Sequence, residues 1–325
     1  MADVFAYLEG FGASGGSPNK STIIVTAPTG STVTCKMGST TKTATEKNGV
    51  WTFGGLDLGT WTITSTKGGD SATQDVAITR LTVEYVTIVY RITPEFAYTG
   101  DYEIVDDSDN PISDFASWKN NWKIRFLTSG TLTFTKLNGW NGQLDVFLVG
   151  GGGNGETIRG ARGGGGGYTK TVKGISIAIA TPYTVTIGAS SGTSSAFGAS
   201  ANGASGANGG SGGGGGGSSS GTPGNGGSNG GNGTAGNVSQ GGAGQGTTTK
   251  EFGESTGKLY SGGGGGSAAG AGAAGDSTAG AGANFGGAAK NGVANTGGGG
   301  GAAYSGTAGR GGSGIVIARN ARGDA

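Results

Sequence analysis

The sequence predicts an all-β protein: an N-terminal β-sandwich, then a β-strand base that carries a bundle of polyglycine II spirals. Such spirals are left-handed, extended and have three residues per turn. Three observations predict this. Short apolar runs alternate with turn signals from residue 21 to 91. Glycine accounts for 79 of the 325 residues, mostly between 150 and 314, and this glycine-rich run ends in an apolar strand at 315–319.

Composition and turn spacing divide the chain into four stretches. We predict an attachment segment at residues 1–20 and a β-sandwich spacer at 21–91. A connector follows at 92–121, and the glycine-rich domain, base and bundle together, occupies 122–325. A chain of this length is expected to hold two or three domains.

The predicted sandwich contains short alternating strands separated by turns such as Asn48-Gly49. We expect Trp51 and Trp61 to be core residues rather than binding residues. Residues 45–66, TEKNGVWTFGGLDLGTWTITST, resemble the small carboxypeptidase-regulatory or PEGA-like sandwich modules of surface and phage tail proteins. That resemblance implies a spacer or adhesive module.

The connector contains a crowded group of oxygen-bearing side chains that could bind Ca²⁺. The group comprises Asp106, Asp107, Asp109, Asn110 and Asp114. The EF-hand pattern fails, because Ile112 stands where that loop needs glycine and Trp118 where it needs glutamate. We therefore favour a solvated turn and keep calcium binding at residues 106–109 as the alternative.

The predicted base consists of strands on both sides of the glycine-rich run. Residues 122–128 and 131–136 are predicted to form a hairpin around Ser129-Gly130. Residues 168–179 and 182–188 are predicted to form a second strand pair. With the closing strand, these elements would bring both ends of the run to one place.

Within the run, glycine recurs at every third position from 203 to 215 and again from 221 to 236. A flexible linker is one alternative, but sparse Ile, Phe and Tyr residues and the closing strand argue against it. Collagen is another, but the chain has only six prolines. In a polyglycine II bundle, backbones approach closely enough to bond to one another, so we expect a Cβ to be sterically excluded at Gly206 and Gly230.

Charge and composition exclude several function classes. Lys and Arg total 21 against 20 Asp and Glu, so we expect neither nucleic acid nor an acidic membrane as a partner. The chain has no histidine, and Cys35 is its one cysteine. The commonest general base and metal ligand is therefore missing, and we predict no enzyme activity and no cofactor. Asp3 and Glu9 with no apolar core predict no signal peptide, and no apolar run is long enough to insert into a membrane.

The order of motifs from residue 128 to 319 resembles the glycine-rich domain of bacteriophage tail and tail-fibre proteins. The motifs are TSGTLTFT, LDVFLVGGGG, GGGGGYTKTVKG, YTVTIGA, TSSAFG, GGGGG and GGSGIVIAR. The sequence is also similar in principle to the distal adhesins of T-even-like phages, in which polyglycine II spirals carry receptor-binding loops at the tip. The turns of this chain look short and plain beside the aromatic-rich tip loops of those adhesins.

This resemblance implies a tail-fibre or tail-tip adhesin that recognises the bacterial host surface by non-catalytic binding. The expected partners are a bacterial receptor, protein or glycan, and other fibre proteins bound through the N-terminal region. The protein would be assembled in the host cytoplasm and reside in the virion. A homo-oligomer is one of the assemblies that this resemblance allows. The alternatives are a purely structural fibre or spike component acting as a stiff spacer and, third, an ice-binding protein.

We expect recognition at the turns, because the sides of a glycine bundle are nearly uniform. The first candidate turn, 154–162, supplies Glu156, Thr157, Ile158, Arg159 and Arg162. The second, 250–260, supplies Phe252, Lys258 and Tyr260, which would suit stacking on a sugar ring. The alternative is that both turns only cap the bundle.

Overall fold

The computed structural model confirms the all-β fold class. It describes residues 20–67, 70–88, 94–112, 121–137, 140–216, 222–226, 231–237, 242–244 and 250–322. The chain divides into two compact units, Met1–Thr93 (unit 1) and Pro94–Ala325 (unit 2). Within the described residues, no helix has the length and apolarity needed to cross a bilayer.

Unit 1 is a sandwich of two sheets. Its strands are β1 (Ser21–Thr26), β2 (Thr32–Met37), β3 (Thr40–Thr43), β4 (Val50–Leu56), β5 (Gly59–Lys67), β6 (Asp70–Ile78) and β7 (Val83–Thr87). One sheet has the order β4-β1-β7, with β1 and β7 parallel, and the other has the order β3-β2-β5-β6 and is antiparallel. The predicted strands of this region are therefore present.

The core of unit 1 comes from the inward-facing residues of both sheets. Trp51 and Trp61 are buried in one apolar cluster with Ile23 and Ile63, as expected for core residues. At the predicted Asn48-Gly49 turn both residues have positive φ, 54° and 76°. This conformation suits a two-residue hairpin, and asparagine and glycine adopt it most readily.

Unit 2 contains the base and the glycine-rich run. Its strands are β8 (Glu95–Tyr98), β9 (Tyr102–Val105), β10 (Lys123–Phe126), β11 (Gly130–Lys136), β12 (Gln143–Val149), β13 (Thr169–Ser176), β14 (Pro182–Val185), β15 (Ser194–Ala196), β16 (Ala199–Ala201) and β17 (Ile315–Asn320). The stretch predicted as a connector thus supplies β8 and β9. Three sheets result, with the orders β13-β12-β17-β10-β9, β14-β11-β8 and β15-β16.

The centre of the base joins the two ends of the glycine-rich run. β12 pairs antiparallel with β17, so that Val149 lies opposite Ile315. Both strands are buried, because the chain covers both faces of this sheet. The prediction that the strands bring both ends of the run together is confirmed.

Two predicted strand pairings are wrong. β10 and β11 do not form a hairpin, because β10 pairs with β9 and β17 whereas β11 pairs with β8 and β14. The chain changes sheet at Gly130, where an added Cβ would lie 2.7 Å from the backbone nitrogen of Gly100. β13 and β14 are likewise in different sheets, since β13 pairs with β12.

Backbone hydrogen bonds in the run connect segments that are distant in sequence, and they repeat every three residues. The Gly150 N–H donates to the Tyr168 carbonyl at 2.9 Å, and the Gly153 N–H donates to Gly165 at 2.8 Å. Donors three residues apart thus bond to the same neighbouring segment. Other segment pairs follow the same rule: Gly152 to Gly312 with Gly155 to Gly309, Gly163 to Gly214 with Gly166 to Ser211, and Gly164 to Gly300 with Gly167 to Gly297.

Consecutive donors in one segment bond to different neighbours. The N–H groups of Gly163, Gly164 and Gly165 donate to carbonyls of three separate segments, at Gly214, Gly300 and Gly206. Successive N–H groups of this segment therefore point toward different neighbouring segments. Backbone hydrogen bonds thus connect residues 163–165 to three neighbouring segments.

Close approach explains the glycine content. A Cβ on Gly164 would lie 2.0 Å from the Gly153 carbonyl oxygen, and one on Gly299 would lie 2.1 Å from that of Gly164. The expectation of steric exclusion is wrong for Gly206, where a Cβ would meet no atom within 4 Å. Gly206 instead has a φ of +56°, a backbone conformation that glycine adopts far more readily than other residues. Gly230 lies outside the described residues.

The bundle has one end at the base and another that we call the tip. Residues 150–155 leave β12 and residues 163–168 return to β13, so the turn 156–162 between them lies away from the base. Thr157 forms a parallel bridge with Ala303, which places the turn 303–306 at the same end. The turn 284–287 is also there, because Phe285 contacts Tyr304. These three turns define the tip.

Candidate functional site

At the tip, Glu156 and Arg162 close the first predicted turn. The Arg162 guanidinium donates to Glu156 Oε1 from Nε at 3.0 Å and from Nη2 at 2.6 Å, and the Arg162 backbone N–H donates to Oε2 at 2.9 Å. The Glu156 N–H in turn donates to the Arg162 carbonyl at 3.0 Å. The hydrogen bond to Glu156 raises the pKa of Arg162 above its ordinary value. Two of the five predicted residues of this turn therefore shape the loop.

The other three predicted residues of this turn face solvent. Thr157, Ile158 and Arg159 are all exposed, and the Ile158 side chain is 60% exposed. The exposed part of Ile158 is available to contact another surface. The Glu156–Arg162 pair therefore presents these three side chains at the outer end of the bundle.

An aromatic pair lies beside this turn. The rings of Phe285 and Tyr304 meet edge to face, with centroids 4.3 Å apart and planes at 86°. Phe285 is 56% exposed and Tyr304 is half-buried. The Thr157–Ala303 bridge places Ile158 and Tyr304 at neighbouring positions of adjacent segments.

The expectation of plain turns is therefore wrong for this part of the tip. Phe285 and Tyr304 are among the sparse aromatic residues that argue against a flexible linker, but they were not among the predicted binding residues. A usable signal was that each is a lone aromatic in a Gly/Ala/Ser/Asn context, where no core is available to bury it. Their contact could not be predicted, because it depends on two separate reversals of the chain.

The second predicted turn does not present its aromatic rings. Phe252 is 5% exposed and Tyr260 is fully buried, both in a cluster with Phe147, Ile315 and Ile317. Their ring centroids lie 5.8 and 5.5 Å from that of Phe147. Burial raises the pKa of the Tyr260 hydroxyl well above its ordinary value. The prediction that these rings stack on a sugar is wrong, because they anchor the turn to the base.

Lys258, the third residue predicted there, lines a charged pocket at the base. Its volume is about 420 Å³. The walls come from the β9–β10 region, the turn 250–260 and the end of β17. The lining residues are Asp107, Ser108, Asp109, Lys123, Glu251, Glu254, Thr256, Gly257, Lys258, Arg319 and Arg322. Eight of these side chains are charged, four of each sign.

Buried ion pairs form the floor of the pocket. Lys123 Nζ lies 2.6 Å from Asp109 Oδ1 and 3.0 Å from Glu251 Oε1, and the Lys123 and Glu251 side chains are almost wholly buried. Burial alone would lower the pKa of Lys123, but the hydrogen bond to Asp109 and the charge of Glu251 hold it above its ordinary value. The ammonium group is therefore fixed in its charged form.

Arg319 forms a second buried group. It donates to Glu254 Oε1 at 2.7 Å and lies 3.4 Å from Asp145 Oδ2. Its guanidinium carbon lies 3.8 Å from the centroid of the Phe252 ring, a cation–π distance. The hydrogen bond from Arg319 lowers the pKa of Glu254 below its ordinary value.

The acidic turn considered for calcium uses its carboxylates within the chain. Asp106 Oδ1 accepts the N–H groups of Ser108 and Asn110 at 2.8 and 2.9 Å, and hydrogen bonds from Asn110 lower the pKa of Asp106. Asp107 pairs with Arg322, and Asp109 with Lys123. Asp114 lies outside the described residues. In the described part of the chain, no three Asp, Glu, His or Cys residues are grouped so that they could hold a metal ion.

Comparison with known proteins identifies a glycine-rich domain within unit 2. No curated protein matches the sequence. The family described as "Glycine-rich domain" matches residues 127–321, which run from the end of β10 to just beyond β17. The match thus covers more than half of the chain and includes the central base strands, the bundle and the tip. The chain belongs to this glycine-rich domain family.

Proposed function

We propose that this protein is a phage-type adhesin, a tail-fibre or tail-tip protein that binds a bacterial surface receptor, protein or glycan, without turnover. The observation that carries the proposal is the exposed Phe285–Tyr304 pair beside Ile158 at the tip. These apolar side chains stand at the end of the bundle that no part of the base covers.

Aromatic side chains contribute much of the binding free energy at interfaces, and a ring contributes most when it is rigid and accessible. The edge-to-face contact with Tyr304 restrains Phe285 and leaves 56% of it exposed. Arg159 adds an exposed positive charge on the neighbouring turn. The tip thus combines an apolar centre with a polar rim, which is the usual anatomy of a binding surface.

The bundle would serve as the support for this surface. We propose that its segments are polyglycine II spirals, because their backbone hydrogen bonds repeat every three residues. A bundle bonded in three directions holds the tip turns at fixed separations from the base. In this proposal, unit 1 is a PEGA-like spacer, residues 1–20 attach the protein to other fibre proteins, and the protein resides in the virion.

Binding to intact cells tests the proposal. Labelled wild-type protein is incubated with a panel of bacterial strains, and a strain that retains it is then tested with the Phe285→Ser/Tyr304→Ser double variant. We expect at least a tenfold loss of retained protein, because the apolar contact is removed. Val293→Ser is the matched control, since Val293 is 48% exposed in the same bundle but belongs to a segment whose next turn is at the base.

Two results would contradict the proposal. Undiminished binding by the double variant would move recognition away from the tip. Absence of binding to every strain would favour the alternative function, a structural spacer. An unchanged unfolding midpoint of the double variant shows that a loss of binding is not a loss of folding.

A further inference from the structure

We propose that the charged pocket at the base of unit 2 is a binding site for a neutral polyhydroxyl ligand, a mono- or disaccharide. The inference rests on the pocket alone and not on receptor binding at the tip. The tip turns and the pocket lie at opposite ends of the bundle, so either site can be lost while the other is kept.

The balance of charge selects the class of ligand. The lining contains the carboxylates of Asp107, Asp109, Glu251 and Glu254 and the cationic groups of Lys123, Lys258, Arg319 and Arg322. An anion entering the pocket would meet four carboxylates, and a cation would meet four positive groups. A hydroxyl group both donates and accepts, so several hydroxyls on one ring can use carboxylates and cations together. Ser108 and Thr256 add hydroxyl partners to the same wall.

The floor of the pocket is preorganised. Lys123, Glu251 and Arg319 are each at most 5% exposed and are held by ion pairs of 2.6 to 3.4 Å. A ligand therefore does not have to order these side chains when it binds, which removes a major cost of association. The fixed positions also determine which arrangement of hydroxyls can be bound.

The rim of the pocket retains capacity for a ligand. Lys258 is 45% exposed and its Nζ lies 3.8 Å from Asp109 Oδ2, so this pair is loose. Glu254 is 47% exposed and has a single oxygen engaged by Arg319.

Size and shape limit the ligand and its affinity. The pocket, at about 420 Å³, lies near the lower end of the range for small-molecule sites. None of its described lining residues is aromatic, and the Arg319 guanidinium lies over the ring of the nearby Phe252. Binding therefore depends on hydrogen bonds, and we expect a dissociation constant on the order of 1 mM.

Titration of isotope-labelled full-length protein followed by amide resonances tests the proposal. The probes are methyl glycosides of neutral hexoses, maltose, inorganic phosphate and glycine as a zwitterion. We expect at least one neutral sugar to shift the amides of Gly257 and Lys258 in a saturable manner. Lys258→Met should weaken that binding about tenfold, whereas Lys290→Met, an exposed lysine of the bundle, should leave it unchanged.

A second variant tests the site by blocking the pocket without disturbing the fold. Thr256→Trp fills the mouth of the pocket at an exposed position and should abolish the sugar shifts with an unchanged unfolding midpoint. Saturable shifts with phosphate or glycine alone would overturn the assignment to a neutral ligand. The absence of shifts with every probe would overturn the site. The Phe285→Ser/Tyr304→Ser variant should keep the sugar shifts, which separates failure of this proposal from failure of the tip proposal.

Discussion

Lys123 and Glu251 form an ion pair of 3.0 Å in which both side chains are almost wholly buried. Lys123 belongs to β10 of the base, and Glu251 belongs to the turn 250–260 within the glycine-rich run. The pair therefore fixes the bundle to the base at a defined position. A glycine segment has no side chains of its own that could do this.

Removing Lys123 should destabilise unit 2 strongly. The Lys123→Met variant leaves the buried Glu251 carboxylate without its cation, a change that costs about 3 to 5 kcal/mol of unfolding free energy. Urea unfolding followed by tryptophan fluorescence measures the loss. The Lys123→Met/Glu251→Gln double variant should recover part of it, because the buried charge is gone. A loss below about 1 kcal/mol in the single variant would mean that the carboxylate is solvated.

The Glu254–Arg319 hydrogen bond predicts a dependence on pH. The pKa of Glu254 is below its ordinary value of 4.5 in the folded state, so the pair stabilises the fold above that pH. The stabilisation is lost as the pH falls through the lowered pKa. Because Glu254 is half exposed, we expect Glu254→Gln to cost at most about 1 kcal/mol at neutral pH. The difference from wild type should shrink below pH 4.5; a difference independent of pH would contradict the role of this carboxylate.

One added methyl group should disrupt the interior of the bundle. In Gly164→Ala the Cβ would lie 2.0 Å from the Gly153 carbonyl oxygen, so two hydrogen-bonded segments must separate. We expect a loss of about 3 kcal/mol, measured by thermal unfolding. Ala273→Ser is the control, since it adds one heavy atom at an exposed position of the same bundle. Equal stability of both variants would disprove close backbone packing.

The Glu156–Arg162 pair should govern the order of the tip turn rather than the stability of the unit. Both side chains are partly exposed, so Glu156→Ala is expected to change the unfolding free energy by less than about 1 kcal/mol. The Arg162 backbone N–H loses its acceptor in this variant and should exchange with solvent faster. Hydrogen exchange measures this directly. Unaltered protection of that amide would show that backbone contacts alone order the turn.

Cys35 provides a probe of unit 1. It is fully buried, and burial raises the pKa of its thiol to about 11, so the thiolate is scarce at neutral pH. We expect a thiol reagent to react with it only when unit 1 unfolds. Gly164→Ala should leave this reaction rate unchanged, because Gly164 is in unit 2. Acceleration by that variant would mean that the two units unfold together.

Features set by local pattern could be predicted from the sequence. The alternation of apolar residues predicts the strands of unit 1, and the Asn48-Gly49 pair predicts its hairpin, because both signals act over a few residues. The three-residue glycine period predicts extended segments whose backbone groups form hydrogen bonds with neighbouring segments. The pairing of β10 and β11 could not be predicted, because each strand pairs with strands other than its neighbour in sequence: β10 with β9 and β17, and β11 with β8 and β14.

In the candidate sites too, contacts between residues distant in sequence could not be predicted. The turn 156–162 could be recognised from its charged residues, but the sequence does not reveal that Glu156 and Arg162 bond to each other. Phe252 and Tyr260 look like exposed aromatics in a polar turn, yet the base offers Phe147 as a partner and buries them. The charged pocket could not be predicted, because it joins three separate parts of the chain.

The interior of the bundle consists of peptide groups instead of hydrocarbon, and this affects its heat capacity. Unfolding an ordinary core exposes apolar surface and raises the heat capacity, whereas exposing peptide groups lowers it. Segments such as 297–302 and 261–266, which are buried through backbone contacts, would contribute little or negatively to the heat capacity of unfolding. The stability of the bundle should therefore vary less steeply with temperature than that of unit 1, and it should weaken less on cooling.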